Sequence, residues 1–324
     1  MKEITFLNRN AETWKEFERM VANPSADPDA LAKLYIRIND DLSYSRTYYP
    51  CTDTTAYLNM LASRAHSIIY KNKRERNSRF VRFWTVEIPM AIYEFRKNLL
   101  ISFVFFLVAV SIGALSAAND DTFVRLILGD AYVDMTLENI NSGDPMAVYK
   151  SMSSTDMFAA ITVNNIYVSF LCFVFGIFLS AGTFYLLFTN GIMLGAFQYF
   201  FYQHGLLGES AATIWIHGTI EISAIVIAGC AGITLGKSIL FPGTYSRAAS
   251  FRLATGKSIK ILAGLIPFFI IAGFLESFIT RLTDMPLIFK LLIIGTSLFL
   301  IIYYFVILPF FQHNKYYGKP ETVN

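Results

Sequence analysis

The chain has 324 residues, 54% of them hydrophobic and only 16% charged, with 30 Phe and 18 Tyr. Soluble domains carry about 25% charged residues, so this composition excludes an ordinary soluble domain along most of the length. The formal net charge of +3 gives no reason to expect a nucleic-acid partner, and its distribution is uneven: residues 1–98 hold 16 of the 27 Lys and Arg and 12 of the 24 Asp and Glu.

The first residues are charged and amphipathic and lack a continuous apolar run. No cleavable signal peptide is therefore expected, and insertion falls to the first span. Asn10 is expected to cap a helix with Trp14, Phe17 and Met20 on one face. Asp27 or Asp29 would start a second, carrying Leu31, Leu34, Tyr35 and Ile38. Thr54 or Thr55 would start a third, with Tyr57, Leu58, Leu61, Ala65, Ile68 and Ile69 on its apolar side. Three such helices make a small bundle. Then come eight basic residues, Lys71, Lys73, Arg74, Arg76, Arg79, Arg82, Arg96 and Lys97, interleaved with Trp84, Ile88, Pro89, Ile92 and Tyr93. Basic and apolar residues mixed in this way predict a helix lying on an anionic cytoplasmic leaflet. Residues 1–98 thus read as a cytoplasmic helical region.

Crossing the hydrocarbon core takes roughly 20 mainly apolar residues. Six segments qualify, at about 99–118, 158–188, 191–202, 211–240, 259–279 and 287–311. Thr189-Asn190-Gly191 reads as a turn, which leaves the third segment short: either a full span or a re-entrant half-helix. The fold class is all-α and polytopic, with a transmembrane domain over 99–312, an acidic loop over 119–156 and a tail over 313–324. The 119–156 loop has seven acids and two bases, whereas 237–260 has five bases and no acid. Lys and Arg favour the cytoplasmic side. Six spans then put both termini and the basic stretch inside the cell (inner) membrane and the acidic loop outside. In that loop Phe123, Leu126, Ile127, Ala131 and Tyr132 share one helical face, as if resting on the outer leaflet.

Ionisable and amide side chains are few in the apolar segments. Asn164 and Asn165 open the second, His217 and Glu221 lie four apart in the fourth, and Glu276 lies in the fifth. The third ends near Gln198, Gln203 and His204. Counting from span ends puts all of them in the outer half of the membrane. Such groups in a span mark functional sites by default, and they also bridge helices as hydrogen-bonding pairs. A polar pocket, an ion or proton path, a metal site and a plain packing contact all fit the pattern. His217 and Glu221 share a helix face and offer two ligands, but a zinc site needs a third and fourth, with Glu276 or His204 as candidates. No metal or other cofactor is assigned on this basis. Gly176, Ser180, Gly182, Gly229, Gly232 and Gly236 predict close helix approach.

Catalytic signatures are missing. There is no H-E-x-x-H and no G-x-S-x-G. Ala254-Thr255-Gly256-Lys257-Ser258 ends like a P-loop but lacks the upstream glycine. No catalytic residue is assigned, and Cys51, Cys172 and Cys230 show no zinc or disulfide spacing.

Asn164-Asn165 followed by Gly176, the G-I-x-L-G-x-F stretch from Gly191 to Phe197 with its glycines 191 and 195, and His217-Gly218-x-x-Glu221 together resemble the stage II sporulation protein M family. The resemblance covers about residues 90–312. It implies a multi-pass membrane protein without enzymatic activity. In spore formers the namesake is a scaffold that holds peptidoglycan-degrading enzymes at the septum. Many relatives occur in organisms that do not sporulate, often encoded beside MoxR-type ATPases. The implied partners are therefore the bilayer and other proteins, from cell-wall machinery or a MoxR-type neighbourhood, with a homo-oligomer also open. Two functions stand side by side: a scaffold, or a transporter or channel built on the outer polar cluster.

Overall fold

The computed structural model describes residues 2–22, 28–69, 76–150 and 152–318. Among these it is helical, with no strand, and it divides into two compact units, Met1–Arg76 and Asn77–Asn324.

The smaller unit is three helices, α1 (Glu3–Ala22), α2 (Pro28–Tyr48) and α3 (Asp53–Ile69). Asn10 does not cap α1. It lies in the second turn, and its amide donates to Phe6 O at 3.2 Å. The reason is Phe6, buried with Trp14, Phe17 and Val21 on one stripe, so the apolar face begins a turn earlier. Glu3 sits in the first turn, where a negative charge suits the helix dipole. The core joins Phe6, Trp14 and Phe17 to Ile38 and Leu42 of α2 and to Leu58, Leu61 and Ala65 of α3. Trp14 Nε1 donates to Asp41 Oδ2 at 2.8 Å, so the indole is buried without losing its hydrogen bond.

From Asn77 the larger unit takes up α4 (Arg76–Arg82), which passes through a π-helical turn, Phe83–Glu87, into α5 (Ile88–Glu94). Ile88, Ala91 and Ile92 are buried with Ile261, Leu265 and Phe269, so the apolar side of this helix is covered by protein. Lys257 Nζ pairs with Glu94 at 2.5 Å and Lys260 with Glu87 at 2.7 Å. The lysine of the P-loop-like string thus lies inside a long helix and pairs with Glu94 of α5.

Among the described residues six helices are long and apolar enough to cross a membrane: Arg96–Asn119, Ser154–Ile177, Ala181–Gln203, Leu207–Leu240, Arg247–Thr280 and Leu287–Tyr317. They correspond to α6 (Arg96–Asn119), α9 (Ser154–Val174), α10 (Ala181–Gln203), α11 (Leu207–Leu240), α12 (Arg247–Phe274) and α13 (Leu287–Ile302) running on into α14 (Leu308–Tyr317). Two short helices, α7 (Asp121–Leu128) and α8 (Asp130–Asn141), join the first span to the second. The bundle is built around α11, whose apolar stretch is 78% buried against 17–39% for the other five. The basic stretch 237–260 is mostly not a loop, since α12 already begins at Arg247.

The break between the second and third spans is not where the sequence suggests. The chain reverses at Leu179 and Ser180, with φ of 52° and 70°, and α10 then runs for 23 residues. Thr189-Asn190-Gly191 lies inside α10, which is neither short nor re-entrant. The Thr189 hydroxyl and Asn190 amide both donate to Leu186 O, at 3.1 and 2.8 Å, so these side chains are satisfied within the helix instead of opening a turn. Gly195 supplies the other half of the explanation. A Cβ there would lie 2.1 Å from Val110 O, so only a glycine lets α10 and α6 come this close.

The acidic segment also differs from expectation. Gly129, at φ 85°, separates α7 from α8, so Phe123, Leu126, Ile127, Ala131 and Tyr132 do not form one continuous face. Val124, Phe123 and Ile127 pack with Ala196, Phe200 and Phe201 at the end of α10, while Leu126 points outward.

Candidate functional site

One turn of α11 presents His217 and Glu221 on the same side, toward α9 and the end of α12. There α12 widens into a π-helical turn, Leu275–Thr280. Glu276 and Thr280, four apart, lie on one side of this turn, and both meet His217. His217 Nδ1 lies 3.0 Å from Thr280 Oγ1, and that hydroxyl already donates to Leu275 O at 3.1 Å. When the Thr280 hydroxyl donates to Leu275 O, Nδ1–H is the donor to Thr280 Oγ1 and Nε2 carries the lone pair. Nε2 then faces Glu276 Oε1, 3.8 Å away, beyond hydrogen-bonding distance. Asn165 of α9 donates to Glu221 Oε1 at 2.5 Å. The carboxyls of Glu221 and Glu276 face each other, with one oxygen of each no more than 4.8 Å apart. One ligand atom each from His217, Glu221 and Glu276 falls within 4.8 Å of the other two.

The cluster borders a cavity of about 430 Å³ between α9, α10 and α11. Asn164, Asn165, Asn190, His217 and Glu221 supply its polar wall, and Met193, Leu194 and Phe197 part of the apolar one. Tyr149, from the turn Ala147–Lys150, closes it at the acidic-loop end, with its ring edge-on to His217 at 5.7 Å between centroids. Burial, with Glu276 nearby, pushes the Tyr149 hydroxyl well above the ordinary phenol range.

Of the five residues singled out within the spans, four are drawn into one network: His217, Glu221, Asn165 and Glu276. Asn164 lines the cavity but is exposed and outside that network. His204 is elsewhere, its Nδ1 on Phe200 O at the end of α10. Thr280, Tyr149 and Asn190 were missed. Thr280 carried a usable signal, lying four residues after Glu276. So was Lys290, which is 7% exposed and held by Thr213 Oγ1 at 3.2 Å and Thr283 O at 3.3 Å. Of the basic residues before the first span, Arg79, Arg82, Arg96 and Lys97 are exposed. Lys71, Lys73 and Arg74 lie outside the described residues, as does the side chain of Arg76.

A family model described as stage II sporulation protein M matches residues 102–281, more than half of the chain. The chain belongs to the stage II sporulation protein M family. The match runs from Ser102, whose hydroxyl donates to Val226 O across the α6–α11 contact at 2.7 Å, to the residue after Thr280. Every member of the polar cluster is therefore inside the part that defines the family, and the family is not known as enzymatic. A second model, a domain of unknown function (DUF8413), matches residues 4–71, within the N-terminal unit. No curated protein and no solved structure matches the chain.

Proposed function

We propose that this member of the stage II sporulation protein M family is a non-enzymatic scaffold of the cell (inner) membrane. It holds a cytoplasmic protein partner on its N-terminal unit and meets cell-envelope machinery at its acidic end. The observation that carries this reading is the separate N-terminal unit, with its own core of Phe6, Trp14, Phe17, Ile38, Leu58 and Leu61, joined to a six-helix membrane bundle. Ile4, Ile36, Tyr48 and Met60 remain exposed on that unit and give a partner apolar surface to cover. In this reading both termini are cytoplasmic, which the basic residues on α4 to α6 and the first turns of α12 support. The exposed Arg79, Arg82, Arg96 and Lys97 then meet the anionic leaflet beside α5.

Mild-detergent co-purification tests the reading. The full chain should bring down a stoichiometric protein partner that a chain lacking residues 1–76 does not. Recovery of the full chain alone, after cross-linking in native membranes, would sink it. The cavity supports a second reading, a transporter or channel using the polar cluster. Liposome flux that falls in both His217→Ala and Glu221→Gln favours it, and flux that is absent or unchanged removes it.

A further inference from the structure

We propose that His217 Nε2, Glu221 and Glu276 bind one divalent first-row transition-metal ion, with a further coordination position open to the cavity. The site does not depend on the scaffold reading. His217 is only 4% exposed, its Nδ1 is on Thr280 Oγ1, and its Nε2, with no hydrogen-bond partner of its own, faces the carboxyls of Glu276 and Glu221. That arrangement needs either shared protons or a cation between the three groups. Among the described residues no Lys or Arg supplies it. Lys290, the buried ammonium, is engaged by Thr213 and Thr283, and Arg281 by Ser154 and Met152. Two carboxylates left uncompensated in the middle of a bundle would be strongly destabilising, whereas a dication neutralises both and takes the lone pair as well.

The geometry is close to what an ion needs. Metal–nitrogen and metal–oxygen distances of about 2.0–2.2 Å put neighbouring tetrahedral ligands about 3.4 Å apart. The present separations are 3.8 Å for His217 to Glu276 and at most 4.8 Å within the trio. Closing inward by about 1 Å is within the reach of side-chain torsions on a flexible glutamate. The outer partners are those a ligated site uses: Thr280 fixes the imidazole tautomer and Asn165 holds Glu221. One nitrogen and two oxygens suit zinc or manganese better than softer or harder ions. The competing arrangement has protons alone bridging the three groups, and metal uptake separates the two.

The experiment uses the full chain in mild detergent, stripped with EDTA, desalted, and titrated calorimetrically with Zn²⁺ and with Mn²⁺. Metal content is then measured after a second desalting. The expected result is one equivalent of bound ion and a higher thermal midpoint. Affinity should fall at least 100-fold in Glu276→Gln and in His217→Ala and stay unchanged in His204→Ala. Glu276→Gln keeps the shape of the side chain, so an unaltered gel-filtration profile and an unaltered metal-free melting midpoint show that a loss is not unfolding. No stoichiometric uptake of either ion by folded wild-type protein would overturn the proposal, and so would uptake unchanged in both cluster variants.

Discussion

Thr280 carries no charge, yet its hydroxyl decides which nitrogen of His217 faces the carboxyls. Replacing it with valine keeps nearly the same volume and removes the hydrogen-bond partner of Nδ1. Loss of such an outer partner typically weakens metal binding by 10- to 100-fold. Thr280→Val is accordingly expected to lower Zn²⁺ affinity by about that factor, with the helical circular dichroism unchanged. An affinity equal to wild type would show that Thr280 does not orient the ring. The sequence made part of this site legible. His217 and Glu221 announce themselves by their spacing of four on an apolar helix, and Glu276 and Asn165 by being polar where lipid is near. Nothing in the sequence shows that α12 widens at Leu275–Thr280, or that the end of α12 packs where both Glu276 and Thr280 meet His217. Asn190 was misread for a different reason: an Asn-Gly pair is a strong turn signal, and only the closeness of α6 makes Gly191 and Gly195 packing residues instead.

At the level of elements, α5 is the clearest case where packing overrides composition. Its basic and aromatic surroundings suggest a helix lying on a leaflet, yet Ile88 is fully buried, with a side-chain carbon in the space a Cβ on Gly264 would need. Truncating a buried isoleucine removes transfer energy and leaves a cavity, at about 2–5 kcal/mol. Ile88→Ala should therefore lower the thermal midpoint of the bundle clearly. Reversing the exposed Lys257–Glu94 pair in the double variant should change stability by no more than about 1 kcal/mol. If α5 were seated on lipid alone, Ile88→Ala would leave the midpoint where it is. The turn between α9 and α10 gives a complementary test. Leu179 is held at positive φ, which costs an L-residue about 1–2 kcal/mol. Glycine relieves that strain but raises the conformational entropy of the unfolded chain, which offsets part of the gain, so Leu179→Gly should leave the melting midpoint unchanged or raise it slightly; a marked drop would contradict the conformation.

On the scale of the whole molecule, the number of spans was legible because hydropathy and the alternation of basic and acidic connections agree on six. The placement of the third helix, the splitting of the acidic segment at Gly129 and the extension of α12 back to Arg247 were not, because each depends on contacts between helices and not on composition. Both functional readings need the N-terminal unit on one side of the membrane and the acidic segment on the other. Cys51 is exposed on the N-terminal unit, while Cys172 and Cys230 are buried in the bundle. The most direct measurement is membrane-impermeant thiol labelling in sealed vesicles of known orientation, using native Cys51 and, in a Cys51→Ser background, Ser142→Cys in the acidic segment. The expected result is labelling of Cys51 only from the cytoplasmic face and of the residue 142 thiol only from the opposite face. Labelling of both from the same face would contradict the six-span bundle with its polar cluster in the outer half.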